Sequence, residues 1–437
     1  MPAVIKDALK LNTLMGIGRI LKLNTFGTQY INKSVEIPLE KHNLVEKSNK
    51  EVLDIMEVLH KLKDGYRKRD IEKVEDFVEE LFIRGDETCI LGTGTDELFL
   101  GIEQVKELLK SDWQYWGDVN IDLENIYIDK KDDVAWFATT GTLKNTFEDT
   151  NERYDNYVNF IKNKANDSEL SPKQKITFIN WVLALTYHQR TEKKREYLWP
   201  LRLSGVLLND NGRWKFTHIQ FSMPKANFPD ERFENSKVHL DSYNKQNEIA
   251  DKYLNNQLDS EVRSLLKSLE TELVGQKNLS KELLSEYFTV DNIPYIISPD
   301  NKWSVGIDQI KDFFTESNGT TLSLDLEHTI SSKHSEVTWV TLCGTLKKTL
   351  TEDEAYSQVL DELESLLQAN ISSKEKLFAI HRSIAYTLKE SATGQDYTCP
   401  IRLTAVVLKN QIGKPAFQHI HFSFPFYWIL EGKLNIL

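Results

Sequence analysis

The stretch Tyr197–Leu208, YLWPLRLSGVLL, is written a second time at Tyr397–Leu408 as YTCPIRLTAVVL. Outward from it, the flanks repeat as well. Trp214–Pro224 (WKFTHIQFSMP) is answered by Pro415–Pro425 (PAFQHIHFSFP), and Val134–Thr146 (VAWFATTGTLKNT) by Val337–Thr349 (VTWVTLCGTLKKT). Further upstream, DLE recurs at Asp122 and Asp325, and GIEQVKELL at Gly101 returns as GIDQIKDFF at Gly306. The order is constant, and the period is far longer than the roughly 20–50 residues of solenoid repeats. The chain therefore reads as one domain in two copies. The expected division is an extension over 1–45, a first copy over 46–226, a linker over 227–245 and a second copy over 246–437.

A length of 437 residues suits two domains, each large enough to bury a core. A net charge of -12 argues against a nucleic-acid partner, whose phosphates demand Lys and Arg. The three cysteines, Cys89, Cys343 and Cys399, show no CxxC spacing, which excludes a disulfide framework and a cysteine-based zinc site and fits a reducing compartment. The apolar stretch Leu11–Leu21 is broken by Asn12, Thr13, Gly16, Gly18 and Arg19, so it does not read as a signal peptide. A short amphipathic helix is expected over Ala8–Leu23. No run approaches the roughly 18 apolar residues of a membrane span, and a cytoplasmic protein is expected.

Val52, Ile55, Met56, Leu59 and Leu62 recur at helical spacing and are answered by Val262, Leu265, Leu266, Leu269 and Leu273. A second helix is predicted over Ile71–Phe82 and a third from Gly101, with its counterpart from Gly306. The period then becomes two. A strand is predicted over Ile121–Ile128, with a partner over Leu322–His328. Asp132-Asp133 turns the chain into Val134–Thr146, and closing strands at 199–208 and 214–223 flank the hairpin turn Asn209–Gly212. Between the strands each copy makes an excursion of about 50 residues, too long for a structureless loop. Helical patterns at 154–164 and 172–190, and at 354–369 and 374–388, predict an inserted helical hairpin in each.

Helices first, then a sheet ending in W-K-x-x-H-x-x-F-S-x-P, resembles the nuclear transport factor 2-like superfamily and, within it, the SnoaL-like branch of small ligand-binding and isomerase domains. The last strand is also similar to that of the association domain of calmodulin-dependent kinase II. The resemblance covers about residues 50–225 and 260–426, without the helical excursions or residues 1–45. It implies an α+β fold: two tandem cone-shaped domains, each with N-terminal helices packed on a curved antiparallel sheet, plus the inserted hairpin. It also implies a pocket in each cone and dimerisation through the outer face of the sheet, which tandem copies would satisfy internally as a pseudo-dimer. The fold alone does not name a function.

Strand alternation places Arg202, Ser204, Val206 and Leu208 on one side, and Arg402, Thr404, Val406 and Leu408 likewise. The same rule groups Phe216, His218, Gln220 and Ser222, and Phe417, His419, His421 and Ser423. Trp136 and Trp339 occupy equivalent places. The candidate ligand-binding set is Arg202, His218, Trp136, Arg402, His419, His421 and Trp339. A guanidinium fork suits a carboxylate, and the similarity to the kinase association domain implies that role for Arg202 and Arg402. The competing reading is that these residues build the interface between the copies. No catalytic residue is named. Asp112 beside Trp113 and Trp116 is the kind of acid among aromatics whose pKa can rise, but the second copy has Glu316 and Ser317 near there instead, which favours a surface acid at a helix end beside core tryptophans. No metal site is indicated, since no carboxylate accompanies the histidines at matching spacing. Thr93–Asp96 falls short of a phosphate loop, and no cofactor is indicated. The expectation is a non-catalytic protein that binds a small anionic or partly apolar ligand or serves in assembly. The alternatives are an isomerase, dehydratase or cyclase working by general acid–base chemistry, and a scaffold with filled cones.

Overall fold

The structure, a computed structural model, describes residues 50–425 apart from 95–96, 116–117, 149–150, 187–193, 224–257, 277, 300–301, 318, 369 and 371–372. The extension over 1–45, its helix and the linker lie outside the described residues, as does Trp116.

The first half runs α1 (Lys50–Lys68), α2 (Val74–Leu81), β1 (Cys89–Leu91), β2 (Leu98–Leu100), α3 (Ile102–Tyr115), β3 (Asp118–Ile121), β4 (Tyr127–Lys131), β5 (Val134–Glu148), α4 (Asn151–Asn166), α5 (Pro172–Thr186), β6 (Lys194–Asp210) and β7 (Arg213–Ser222). The second repeats that order: α6 (Ser260–Ser268), which continues as a wider turn over Leu269–Leu273, α7 (Lys281–Tyr287), β8 (Tyr295–Ile297), β9 (Trp303–Val305), α8 (Gly306–Glu316), β10 (Thr320–Leu324), β11 (Ile330–His334), β12 (Val337–Thr349), α9 (Glu352–Gln368), α10 (Ser373–Thr393), β13 (Asp396–Lys409) and β14 (Pro415–Ser423). Both sheets have the same topology. In the first the order is β2-β1-β7-β6-β5-β3 with β4 also on β5; in the second it is β9-β8-β14-β13-β12-β10 with β11 also on β12. Among the named strands of the described residues, the β1–β7 and β8–β14 pairings are parallel and the rest antiparallel.

The helices form where the apolar stripes lie. Val52, Ile55, Leu59 and Leu62 of α1 are buried against the inner face of the first sheet, in a core with Phe137, Leu203, Leu207 and Phe216. The second half builds a matching core from Leu265, Leu266, Leu269, Val340, Leu403 and Phe417. A third cluster joins the halves. Trp136, Val206 and Leu208 from the outer face of the first sheet pack against Tyr295, Ile297, Trp339, Val406 and Leu408 of the second. Both faces of each sheet are therefore covered, and residues 201–208 and 401–408 are buried without alternation.

Three local features depart from simple alternation. The strand expected over Ile121–Ile128 is two strands separated by a turn, because the Asp122 carboxylate accepts from the backbone N–H groups of Glu124 (3.1 Å) and Asn125 (3.3 Å). Asp325 does the same for the His328 N–H (3.2 Å), so the recurring DLE is a turn cap. In β7 the register skips Thr217 between its pairs Val206–His218 and Leu207–Phe216, and in β14 it skips Gln418. These bulges turn Phe216 and Phe417 into the helix-facing cores, away from the side that His218 and His419 occupy. Finally, a Cβ on Gly141 would lie 2.5 Å from the Asn120 carbonyl oxygen, and Gly344 stands in the same relation to Ser323. The strands approach closely there, which accounts for glycine in both copies.

The predicted helical hairpins form. α4 packs on α5, α5 on α10, and α10 on α9. Trp181, Val182 and Ala385 join the first-half core.

Candidate functional site

A cavity of about 490 Å³ opens in the second half, between α8 and the inner face of its sheet. Phe313, Leu322, Leu346, Ile401, Phe422 and Phe424 form its apolar part, with Phe313 and Phe422 stacked at 5.9 Å. Its polar lining includes Lys302, Asp312, Glu316 and Lys348. Lys302 pairs with Glu316 at 3.2 Å. Several other polar groups are already used by the fold. Gln309 accepts from the Val305 N–H (3.0 Å), and the Ser317 hydroxyl oxygen accepts from the Gly275 N–H (3.0 Å). The charged lining carries two cations and two carboxylates, so it selects for neither sign by itself.

Among the described residues, aromatic side chains occupy the equivalent region of the first half. Tyr66, in the last turn of α1, and Trp113, in the last turn of α3, are both buried and meet edge to face at 6.4 Å. Phe77 and Phe221 close around them at 4.9 Å from Trp113 and 6.0 Å from Tyr66. In the second half the first helical segment ends at Leu273, before Gly275 turns the chain at φ +77, and Ser317 stands where the first half has Asp112. The two aromatic plugs are thereby lost.

Asp112 sits beside the plug. The Tyr66 hydroxyl donates to its Oδ2 at 2.9 Å, and Arg69 donates to its backbone carbonyl at 2.9 Å. The residue as a whole is half-buried. Burial pushes that carboxyl well above the usual range, and the Glu97 charge pushes it further; the Tyr66 hydrogen bond and Arg69 pull the other way. Asp112, expected as a surface acid at a helix end, thus has a shielded carboxyl beside Tyr66 and Trp113, while Trp116 is not among the described residues.

The seven residues singled out on the strands lie elsewhere, between the two sheets, and every one is buried. Arg202 reaches out of the first half to donate to the Ser298 carbonyl and, at 3.2 Å, to that of Pro299. Arg402 reciprocates, donating to Gly92 O at 2.8 Å. Each guanidinium thus holds the chain just beyond the short parallel strand of the opposite half. His218 stacks on Trp339 (4.9 Å, 17°) and hydrogen-bonds the Thr404 hydroxyl at 2.9 Å. His421 lies between the Ser204 and Ser222 hydroxyls, at 2.7 and 2.8 Å, while Gln220 donates to Ser423 at 2.9 Å. His419 packs against Tyr295 at 4.4 Å, and neither ring nitrogen has a hydrogen-bond partner among the described residues. Trp136 contributes only apolar surface to the joining cluster. Burial holds His218 and His419 down to about 3, and burial followed by the Arg202 charge holds His421 well below the usual range. All three rings are neutral at ordinary pH.

Residues 55–161 match the family model of the SnoaL-like domain. That stretch of the first half is similar to SnoaL-like domains. The second half shares the first half's element order and sheet topology, so the chain presents two cone-shaped α+β units. Among solved structures, a nuclear transport factor 2-like superfamily protein from Salmonella enterica aligns at 12% identity over 39% of this chain and 89% of that one, with a TM-score of 0.25. A nuclear transport factor 2-like protein of unknown function from Pseudomonas putida aligns at 11% identity over 39% and 85%, with a TM-score of 0.24. No curated protein matches the sequence.

The cavity is not in the half where the SnoaL-like model matches, and none of the seven strand residues lines it. Arg202 alone touches its wall, through Ser298 and Pro299. The lining residues carried no motif of their own. The available signal was negative: the second copy lacks counterparts of Tyr66 and Trp113. Among the described residues no group of three His, Cys, Asp or Glu side chains is placed to hold a metal, and no helix is long and apolar enough to cross a membrane.

Proposed function

We propose that this chain binds a small, partly apolar molecule in the cone of its second half, while the first half acts as a filled, supporting cone. One observation carries the reading: an open cavity lined by Phe313, Phe422 and Phe424 stands where the first half is blocked by Tyr66 and Trp113. Its volume falls within the range of roughly 300–1,000 Å³ common to small-molecule sites. Stacked phenylalanines favour a flat apolar body, and the Lys302–Glu316 pair offers a polar end both a donor and an acceptor. On this reading the two halves are copies, divided near 46–226 and 246–437, that form an internal pseudo-dimer. His218, His419, His421, Trp136 and Trp339 serve that union, and Arg202 and Arg402 tie each half to the other's strand ends. The buried free thiols of Cys89 and Cys343 support a cytoplasmic setting.

The test is thermal denaturation with a panel of aromatic carboxylates, steroids and polyketide-like aromatics, on the natural chain and on Leu346→Trp. A bound member raises stability by about 2.7 kcal/mol at a hundredfold excess over its dissociation constant. Leu346→Trp, which refills the cone, is expected to abolish the response. A panel without a stabilising member, or a response that survives the tryptophan, rejects the reading.

The raised Asp112 carboxyl favours a second reading, general acid catalysis in the first half. Its test is isomerisation or dehydration of the same compounds, with Asp112→Asn as control. Turnover untouched by that substitution would reject the acid, whereas loss of turnover with binding retained would separate the two readings.

A further inference from the structure

The cone of the second half carries a polar group that the fold leaves unused. In β9, Trp303 and Val305 belong to the cluster between the halves. Strand alternation therefore turns Ser304 the other way, into the cone, beside Ile296, its partner in β8 and a member of the helix-facing core. Ser304 lines the cavity and is only 9% exposed, and among the described residues its hydroxyl has no hydrogen-bond partner. A buried hydroxyl costs free energy unless it is bonded. Water can serve it in the open cavity, and a ligand that displaces the water must replace the bond. The first half shows that packing does not ask for serine here. Phe99 stands at the same distance before Gly101 as Ser304 does before Gly306, and it pairs with Ile90 as Ser304 pairs with Ile296. Phe99 packs on the core of its own cone.

The surroundings say which ligand atom suits Ser304. Phe313, Ile401 and Phe422 make the neighbouring lining apolar. The charged groups stand nearer to solvent: Lys302, Asp312 and Glu316 are exposed, and Lys348 lies opposite Thr320 at the end of β10. Lys302 is held by Glu316 at 3.2 Å, so a ligand carboxylate would have to compete with Glu316 for it. An ionised group beside Ser304 would exchange its hydration for one neutral hydroxyl, which is unfavourable. An uncharged oxygen loses little, since a serine hydroxyl donates to a carbonyl and both donates to and accepts from a hydroxyl. Resting on the reading that this cone takes a flat, partly apolar molecule, we propose that Ser304 is its specificity-determining residue. It selects aromatic molecules whose inner end is an uncharged hydroxyl or carbonyl over those that end there in a carboxylate.

The test is equilibrium dialysis of the full chain against four compounds on one ring system: naphthalene, 2-naphthol, 2-acetonaphthone and 2-naphthoate. Near pH 7 the phenol is uncharged and the carboxylate ionised. The naphthol and the ketone are expected to bind about tenfold more tightly than naphthalene or the carboxylate. Ser304→Ala is expected to erase that preference while naphthalene binding and the thermal melt stay as they were, so that fold and cavity are seen to persist. Equal binding of all four, a preference for 2-naphthoate, or a preference that survives Ser304→Ala overturns the proposal and leaves the cavity reading standing. A Ser304→Ala chain that no longer binds naphthalene also overturns it, by making the residue a wall of the cavity and not its selector. Binding by none of the four overturns it too, whereas the cavity reading falls only if the wider panel of its own test fails as well.

Discussion

Acid should pull the two halves apart through their shared histidines. His218 and His419 are held down to about 3 in the folded chain, against about 6.5 when unfolded. Their folded pKa is depressed, so below pH 6.5 the unfolded chain takes up protons that the folded chain refuses, and stability falls with pH. At pH 5 each ring contributes a loss of about 2 kcal/mol relative to pH 7.5, and the slope approaches about 1.4 kcal/mol per pH unit per histidine. His421, pushed the same way, adds a third contribution. The Asp112 carboxyl is raised, so it opposes them in part: it holds a proton in the folded state that the unfolded chain has released. Asp129, raised by burial, acts in the same sense lower in pH. The net loss belongs to several groups, so the informative variant is one that removes a single ring. His419 is the choice, since neither of its nitrogens has a hydrogen-bond partner among the described residues. His419→Leu should be neutral or stabilising at pH 7.5, because an apolar side chain replaces an unpaired buried polar one. It should also remove about 2 kcal/mol of the loss at pH 5. Urea unfolding followed by tryptophan fluorescence across pH 5–7.5 measures both, with Trp136 and Trp339 reporting from the seam. A variant whose stability falls in parallel with the natural chain over that range would refute the reasoning.

Arg202→Met should destabilise by about 1–3 kcal/mol or somewhat more, since the buried Ser298 carbonyl loses a donor and the half-buried Pro299 carbonyl loses a weaker one. It should also blunt any thermal response to a cavity ligand, because those two residues line the cavity wall; an unchanged melt and an unchanged ligand response would show that the guanidinium is dispensable. Gly141→Ala should cost about 1–3 kcal/mol through overpacking against Asn120 O, read by the same unfolding assay. A melt equal to the natural chain's would mean that β3 yields to the added methyl group.

Much of the fold was legible because the chain supplies two readings of each element, and Leu59 with Leu269, or Trp136 with Trp339, confirm one another. What escaped had too little length or one residue too many. β1 and β2, at three residues each, cannot display a period. The bulges at Thr217 and Gln418 add a residue whose only sign is in the pairing register, and they reverse the side taken by Phe216 and Phe417. The DLE turn was hidden because Asp122 sits at a polar position of an apparently alternating strand, where a cap and a surface residue look alike. For the polar strand residues, alternation gave Arg202, Ser204 and Val206 a common side but could not say what covers it. A sheet with both faces buried offers two interiors, the cone and the seam, and strand pattern does not distinguish them.

Repetition of a residue in both copies and a place at the ligand cavity are different things in this molecule. A face that the two halves turn toward each other bears on both alike: Arg202 and Arg402 each bond the other half's backbone, and His218 meets Thr404 across the seam. A cone faces only its own helices, so nothing requires the two cones to agree. One closed around Tyr66 and Trp113, and the other opened beside Phe313 and Phe422. The differences between the halves, rather than their likenesses, therefore mark the open cavity on which the proposed function rests. Arg202 belongs to both categories, since it crosses the seam to hold the wall of the open cone. Through it the filled half bears on the site of the other.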